Sequence, residues 1–297
     1  MGTPDYASRI LETLLAQPDI EIVAVYTQPD KPVGRKMVLT PPPVKTVAIE
    51  AGIPVYQPQR LRDAQTVEAL KSIPCDFIVV AAYGQILPKA VLDHAPCINL
   101  HASVLPHYRG ASPIQQSLLN GDKETGVTAM LMEEGLDTGP ILAIERVAIA
   151  ENEMVETLFE RLTDLAAEMT PKVLRDFQSL IPNPQNDTEA TLCKKITKAD
   201  GEIRFDNAET LYNKYRAFTP WPGVYLAGGL KLLKMRLDET QKHHTPGQIL
   251  AVEKSRVLIG CEKGSVWIET VQPASKKAVG ASDYLNGKRL GLDDILA

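Results

Sequence analysis

Cysteine is scarce in this chain and supplies no framework. Cys75, Cys97, Cys193 and Cys261 lie far apart, with no CxxC pair and no Cys/His ligand spacing. A structural zinc is therefore not expected, no metal site of any kind is read from the sequence, and a reducing cytoplasmic setting is expected. No apolar run approaches the roughly 18 residues of a membrane helix. No basic start leads into an apolar stretch, so a signal peptide is not expected either. The GxGxxG fingerprint of dinucleotide binding and the GxxxxGK[ST] phosphate loop are both missing. Ser103 lies just after His101, but no G-x-S-x-G elbow surrounds it, which argues against a serine hydrolase. Internal repeats, low-complexity tracts and coiled-coil heptads are absent as well.

What is present suffices for two domains: 297 residues, 44% hydrophobic and 23% charged, enough for a core that needs no staples. Charge is divided unevenly. From Cys193 onward there are 17 Lys+Arg against 12 Asp+Glu, net +5, and the preceding part carries 15 against 25, net −10. The basic third is either an ordinary solvated face or a polyanion surface.

Alternating patterns organise the first part. Ile20–Tyr26, Ile53–Tyr56, Asp76–Ala82, Cys97–His101, Val127–Met132 and Ile141–Ile149 read as strands. Helical spacing marks Arg9–Leu15, Val44–Ala51, Ala64–Lys71, a short segment ending at Leu92, Pro113–Asn120 and Met154–Leu180. This order predicts an α/β fold, a Rossmann-like open and mostly parallel sheet. Thr27–Lys45 contains five prolines and four basic charges out of five, so it reads as a long exposed loop. Ile181–Thr188 is proline-rich and polar, the mark of a linker. Short alternating runs after the Ala208–Phe218 helix suggest a small OB-like β-barrel. The expected organisation is a catalytic domain over 1–180, a linker over 181–200 and a barrel over 201–297.

Chemistry gathers around Asn99–Ile114. Asn99 and His101 are two residues apart on a strand, so both side chains leave one face, and Ser103, Pro106 and Gly110 then force a loop. A second loop, Glu133–Gly139, offers Asp137. Asn, His and Asp without a protein nucleophile suit acyl-type transfer between bound substrates: an amide donor for a developing oxyanion, an imidazole to move protons, a carboxylate to orient it. Taken singly, His101 could be a structural group at a strand end and Asp137 an Asx-turn residue. Spacing leaves both readings open.

The runs Asn99-Leu100-His101-Ala102-Ser103-Val104-Leu105-Pro106, Tyr108-Arg109-Gly110 and Gly135-Leu136-Asp137-Thr138-Gly139 closely resemble the folate-dependent formyltransferase family. Gly2–Ala7, Thr27–Asp30, Pro43–Lys45, Tyr83–Pro88 and Arg216–Pro222 extend the likeness across both expected domains. The resemblance implies formyl transfer from 10-formyltetrahydrofolate to the amino group of methionine on initiator tRNA, by a cytoplasmic monomer with Asn99, His101 and Asp137 as catalytic residues. It also implies folate contacts from Tyr83, Gly84, Ile86, Leu87, Pro88, Ser103, Val104, Leu105, Pro106, Glu134 and Gly135. The tRNA would meet Arg35, Lys36 and Lys45 and the basic barrel. A small-amine acceptor, or an inactive RNA- or folate-binding homologue, are the alternatives.

Ala102 and Val104 depart from the family loop by small apolar changes, and Met37-Val38 stands where members often carry more basic residues. The resemblance further implies a strand of roughly six residues ahead of the Gly2-Thr3-Pro4 turn. Met1 is thus expected to be an internal methionine taken as a start, or the product a truncated one. Four buried apolar side chains at about 1.5–3 kcal/mol each would match a domain's whole stability.

Overall fold

The computed structural model describes residues 1–34 and 36–296, which cluster into two units. The first comprises 1–113, 124–148 and 159–193. It opens with helix α1 (Asp5–Leu15), which buries Tyr6, Ala7, Ile10, Leu11 and Leu14, an i, i+3, i+4 stripe. Strand β1 (Val25–Tyr26) pairs in parallel with β4 (Val55–Tyr56). Between them an exposed hairpin joins β2 (Lys31–Val33) to β3 (Val38–Thr40), and α2 (Pro43–Glu50) follows, with proline at its first turn where the missing N–H costs nothing. The expected loop thus contains a small antiparallel ribbon.

After α3 (Ala64–Lys71) come β5 (Ile78–Val80), α4 (Lys89–Leu92) and β6 (Cys97–His101). Strand β7 (Arg109–Gly110) precedes α5 (Pro113–Asn120); β8 (Glu124–Leu131) and β9 (Ile141–Ala148) follow. The four-stranded sheet runs β5-β6-β8-β9, parallel at β5/β6 and antiparallel at the other two pairs. Met1 and Gly2 lie between the two sheets: Gly2 donates to the Tyr26 carbonyl, and the Met1 carbonyl accepts from Ala81. The strand expected over Ile20–Tyr26 forms a ladder only at its last two residues, because 20–24 meet no strand partner among the described residues; they instead line a cavity of about 960 Å3 with Leu11, Leu14 and Phe77. Apolar patterning marks burial, but a strand needs a neighbour.

Helix α6 (Val155–Asp176) has its residues from Phe159 on in the first unit. Strand β10 (Leu192–Cys193) pairs in parallel with β7, and Asn183 bridges Ile141. Residues 183–193, expected within a linker, are therefore stitched to the first unit. Composition marked the segment as irregular and exposed, which says nothing of where its backbone bonds go.

The second unit holds 114–123, 149–158 and 194–296. Helix α7 (Ala208–Phe218) starts at Asn207, whose side chain accepts from the Thr210 amide as an N-cap should. Strands β11 (Val224–Tyr225), β12 (Lys231–Glu239), β13 (Ile249–Val252), β14 (Val257–Gly260), β15 (Ser265–Gln272) and β16 (Val279–Gly280) form one antiparallel six-stranded sheet. Helix α8 (Ala281–Lys288), which periodicity did not suggest, closes the element order. No helix among the described residues is long and apolar enough to cross a membrane.

Candidate active site

Every residue of β6 is buried, and its neighbours fix which way each points: Asn99 faces Val80 on one side and Met130 on the other, and His101 faces Thr128. Both polar side chains leave the same face of a strand whose other positions feed the core. The loop beyond is tied down from within. The Ser103 hydroxyl donates to the His107 carbonyl, and buried Thr128 donates to the Ser103 carbonyl while accepting from the Leu105 amide. Thr128 was not singled out from the sequence; its one available signal was a hydroxyl in the apolar run of β8.

Asp137 comes to the same place. Its Oδ1 accepts from Asn99 Nδ2 at 3.3 Å, its Oδ2 accepts from the Gly110 amide at 2.8 Å, and the same oxygen lies 3.7 Å from His101 Nδ1. His101 is buried, and its Nε2 stands 2.9 Å from the Tyr108 carbonyl. A carbonyl only accepts, so Nε2 carries the hydrogen, and in the neutral ring Nδ1 keeps the lone pair. One Asn99 amide hydrogen goes to Asp137; the other has no partner among the described residues. The cluster therefore presents a free amide donor, a proton acceptor of fixed tautomer and a carboxylate beside it.

Gly110 is required where it stands. Its φ is +120°, and a Cβ there would lie 2.4 Å from the Cys193 carbonyl oxygen. That close approach lets the residue 193 backbone run beside β7 while the Gly110 N–H holds Asp137. No group of three or more His, Cys, Asp or Glu suited to a metal ion occurs among the described residues.

Two family models, one described as formyl transferase and one as formyl transferase, C-terminal domain, match residues 1–174 and 195–289. The chain belongs to the formyl transferase family. Methionyl-tRNA formyltransferase of Sulfurimonas denitrificans is 59% identical over 297 residues, covering 100% of this chain and 98% of that protein. The same-named protein of Nitratiruptor is 57% identical, covering 99% and 97%. Among solved structures, an N-formyltransferase from Helicobacter canadensis in complex with folinic acid and dTDP-3-aminofucose superposes with a TM-score of 0.66 at 18% identity, over 90% of this chain and 97% of that one. HypX from Aquifex aeolicus in complex with tetrahydrofolic acid gives 0.58 at 20% identity; the match covers 84% of this chain and 45% of HypX. At these identities the structural likenesses speak to the formyl transferase fold.

Within the family frame, the residues expected around the folate divide into two sets. Tyr83, Leu87, Ser103 and Leu105 are buried, backbone included, so they build the walls beneath the site rather than its surface. Val104 and Pro106 are half-buried, as is Pro88, while Gly84, Glu134 and Gly135 are exposed. Ile86 is 84% exposed and Leu136 63%, two large apolar side chains left in water on the two loops assigned to the folate. A flat, partly apolar ligand suits such surfaces, and the spare Asn99 hydrogen suits a formyl oxygen.

The residues expected to meet tRNA also separate. Arg35 lies outside the described residues. Lys36 is exposed beside the hairpin turn. Lys45 is not free: its Nζ contacts both Asp30 oxygens at 2.8 and 2.9 Å, and Gln57 Nε2 donates to the same carboxylate. The lysine first of all closes the base of the hairpin.

Proposed function

We propose that this chain, a cytoplasmic monomer using no metal, transfers the formyl group of 10-formyltetrahydrofolate to the amino group of methionine on initiator tRNA. The observation that carries the reading is the convergence of Asn99, His101 and Asp137 with one amide donor still to spend. Likeness over the full length of two relatives bearing that name supports the choice of acceptor.

The three side chains have complementary tasks. As the methionine nitrogen bonds to the formyl carbon, negative charge grows on the formyl oxygen, and the Asn99 amide donates to it; one such donor is worth about 3 kcal/mol. His101 Nδ1 takes the proton from the attacking nitrogen, and the imidazolium so formed is stabilised by Asp137 Oδ2, 3.7 Å away. When the bond to the departing nitrogen breaks, His101 returns that proton to it, so nothing is left on the protein. Tyr108, through its carbonyl, keeps the ring in the tautomer this cycle needs.

Recognition falls to other surfaces. Lys36, exposed beside the hairpin turn, and Arg35, its neighbour in sequence, would reach the acceptor end of the tRNA. The stretch from Cys193 onward, with its net +5 and with Lys231, Lys234 and Arg236 exposed along β12, the last two paired to Glu269, would hold the phosphate backbone. Formylation of charged initiator tRNA by the purified chain, compared with formylation of small amines such as an amino sugar nucleotide, tests the reading. Turnover on tRNA supports it, and turnover on the small amine alone overturns it.

A further inference from the structure

Residues 181–189 are exposed with one exception, Gln185. Its side-chain amide is fully used. Nε2 donates to the Asp137 carbonyl at 2.8 Å and to the Gly139 carbonyl at 2.7 Å, and Oε1 accepts from Arg109 Nε and Nη2 at 3.0 and 2.9 Å. Arg109 is itself buried and reaches on to Asp187 Oδ1 at 2.8 Å. One amide thus ties the loop carrying Asp137 to the loop carrying Gly110, whose N–H holds the Asp137 carboxylate.

Asp137 needs such a tie. Its φ is +53°, the left-handed region that a side chain with a Cβ disfavours, so without restraint its peptide would relax and swing the carboxylate away. The remaining bonds from this segment point the same way. Thr191 Oγ1 accepts from the Tyr108 amide, the Thr191 carbonyl accepts from Arg109, and the Cys193 carbonyl accepts from Ala111. Residues 185–193 therefore grip both groups that set the chemistry, the Tyr108 carbonyl on His101 and the Gly110 amide on Asp137.

We propose that Gln185 is a positioning residue that holds Asp137 in register with Asn99 and His101, so that the segment over 185–193 is part of the catalytic machinery. The inference rests on the formyl-transfer reading above. Gln185→Glu keeps the acceptor for Arg109 and removes both donors to the Asp137 loop. For this variant kcat is expected to fall about 10- to 100-fold, the penalty of a group displaced by about an ångström. KM for both substrates should stay within about twofold. In an Asp137→Asn background the same change should cost less than about twofold further, because residues acting through one group are not additive. Amide hydrogen exchange at Gly110 and over 135–139 should quicken at least about tenfold, with the melting temperature little changed.

A kcat within twofold of wild type, or a loss that adds in full to that of Asp137→Asn, overturns the proposal. So does unchanged exchange over 135–139. Wild-type chain that formylates no charged tRNA would instead sink the functional reading, and the exchange measurement would still decide whether Gln185 holds the loop.

Discussion

The cluster at Asn99, His101 and Asp137, built on β6 and the loop after β8, and the β2/β3 hairpin belong to one unit, yet they are opposites. In the first, polar groups are buried or nearly so and are oriented by named bonds: the Gly110 amide and Asn99 to Asp137, His101 to Tyr108, Gln185 to the Asp137 loop. In the second, every described residue of the two strands is exposed, and order comes from one buttress at the base, where Lys45 and Gln57 meet Asp30. On the proposed function, groups that meet the transition state are each tied by several bonds, whereas groups that follow a large polyanion are placed on a projection fixed only at its root.

The contrast is broken most severely at the cluster. Asp137→Asn or Asn99→Ala is expected to lower kcat about 10²- to 10³-fold with little change in tRNA affinity, as measured in single-turnover formylation beside a binding assay. Activity retained in either variant would mean that the wrong residues were assigned. A backbone lesion comes next: a Cβ at residue 139 would lie 1.8 Å from the Leu131 carbonyl oxygen, so Gly139→Ala must displace the loop. Thermal melting should register a loss of about 1–3 kcal/mol.

At the hairpin the effect should fall on binding. Lys36→Glu is expected to weaken tRNA binding several-fold and to flatten the salt dependence of affinity by about one to two phosphate contacts, leaving kcat at saturation unchanged. The smallest effect is a matter of pH. The Lys45 ammonium, and then the Gln57 amide, hold the Asp30 carboxyl below its ordinary value. A carboxyl depressed in the folded state stabilises above its unfolded pKa, and that contribution fades as pH falls through the folded one. The Gln57 side-chain amide signals followed by NMR should thus hold their positions at neutral pH and move in acid, and Lys45→Met should bring the transition to higher pH.

Much of this was legible in the residues, for a physical reason. Strand β6 and helix α7 have the bounds that patterning implied, because β6 is an apolar run buried at every position and α7 starts at a side-chain cap and buries its apolar residues. Asn99 and His101 share a face by strand geometry alone. Ile20–Tyr26 fared worse, since a ladder needs a partner that no local pattern supplies. Gln185 and Thr128 were invisible for a related reason: their bonds reach across 48 and 25 positions, and an amide in a proline-rich stretch looks the same whether solvated or saturated.

Met1 and Gly2 carry the backbone link between the β1/β4 pair and the four-stranded sheet, beside a cavity of about 960 Å3. A sheet joined through so few ladder bonds does not open as a single cooperative block. Val25, Tyr26 and their partners in β4 should exchange their amide protons through a sub-global opening that spares β6, β8 and β9. The strand bearing Asn99 and His101 then sits in the slower-exchanging part, and this pair keeps its geometry while the edge beside α1 breathes.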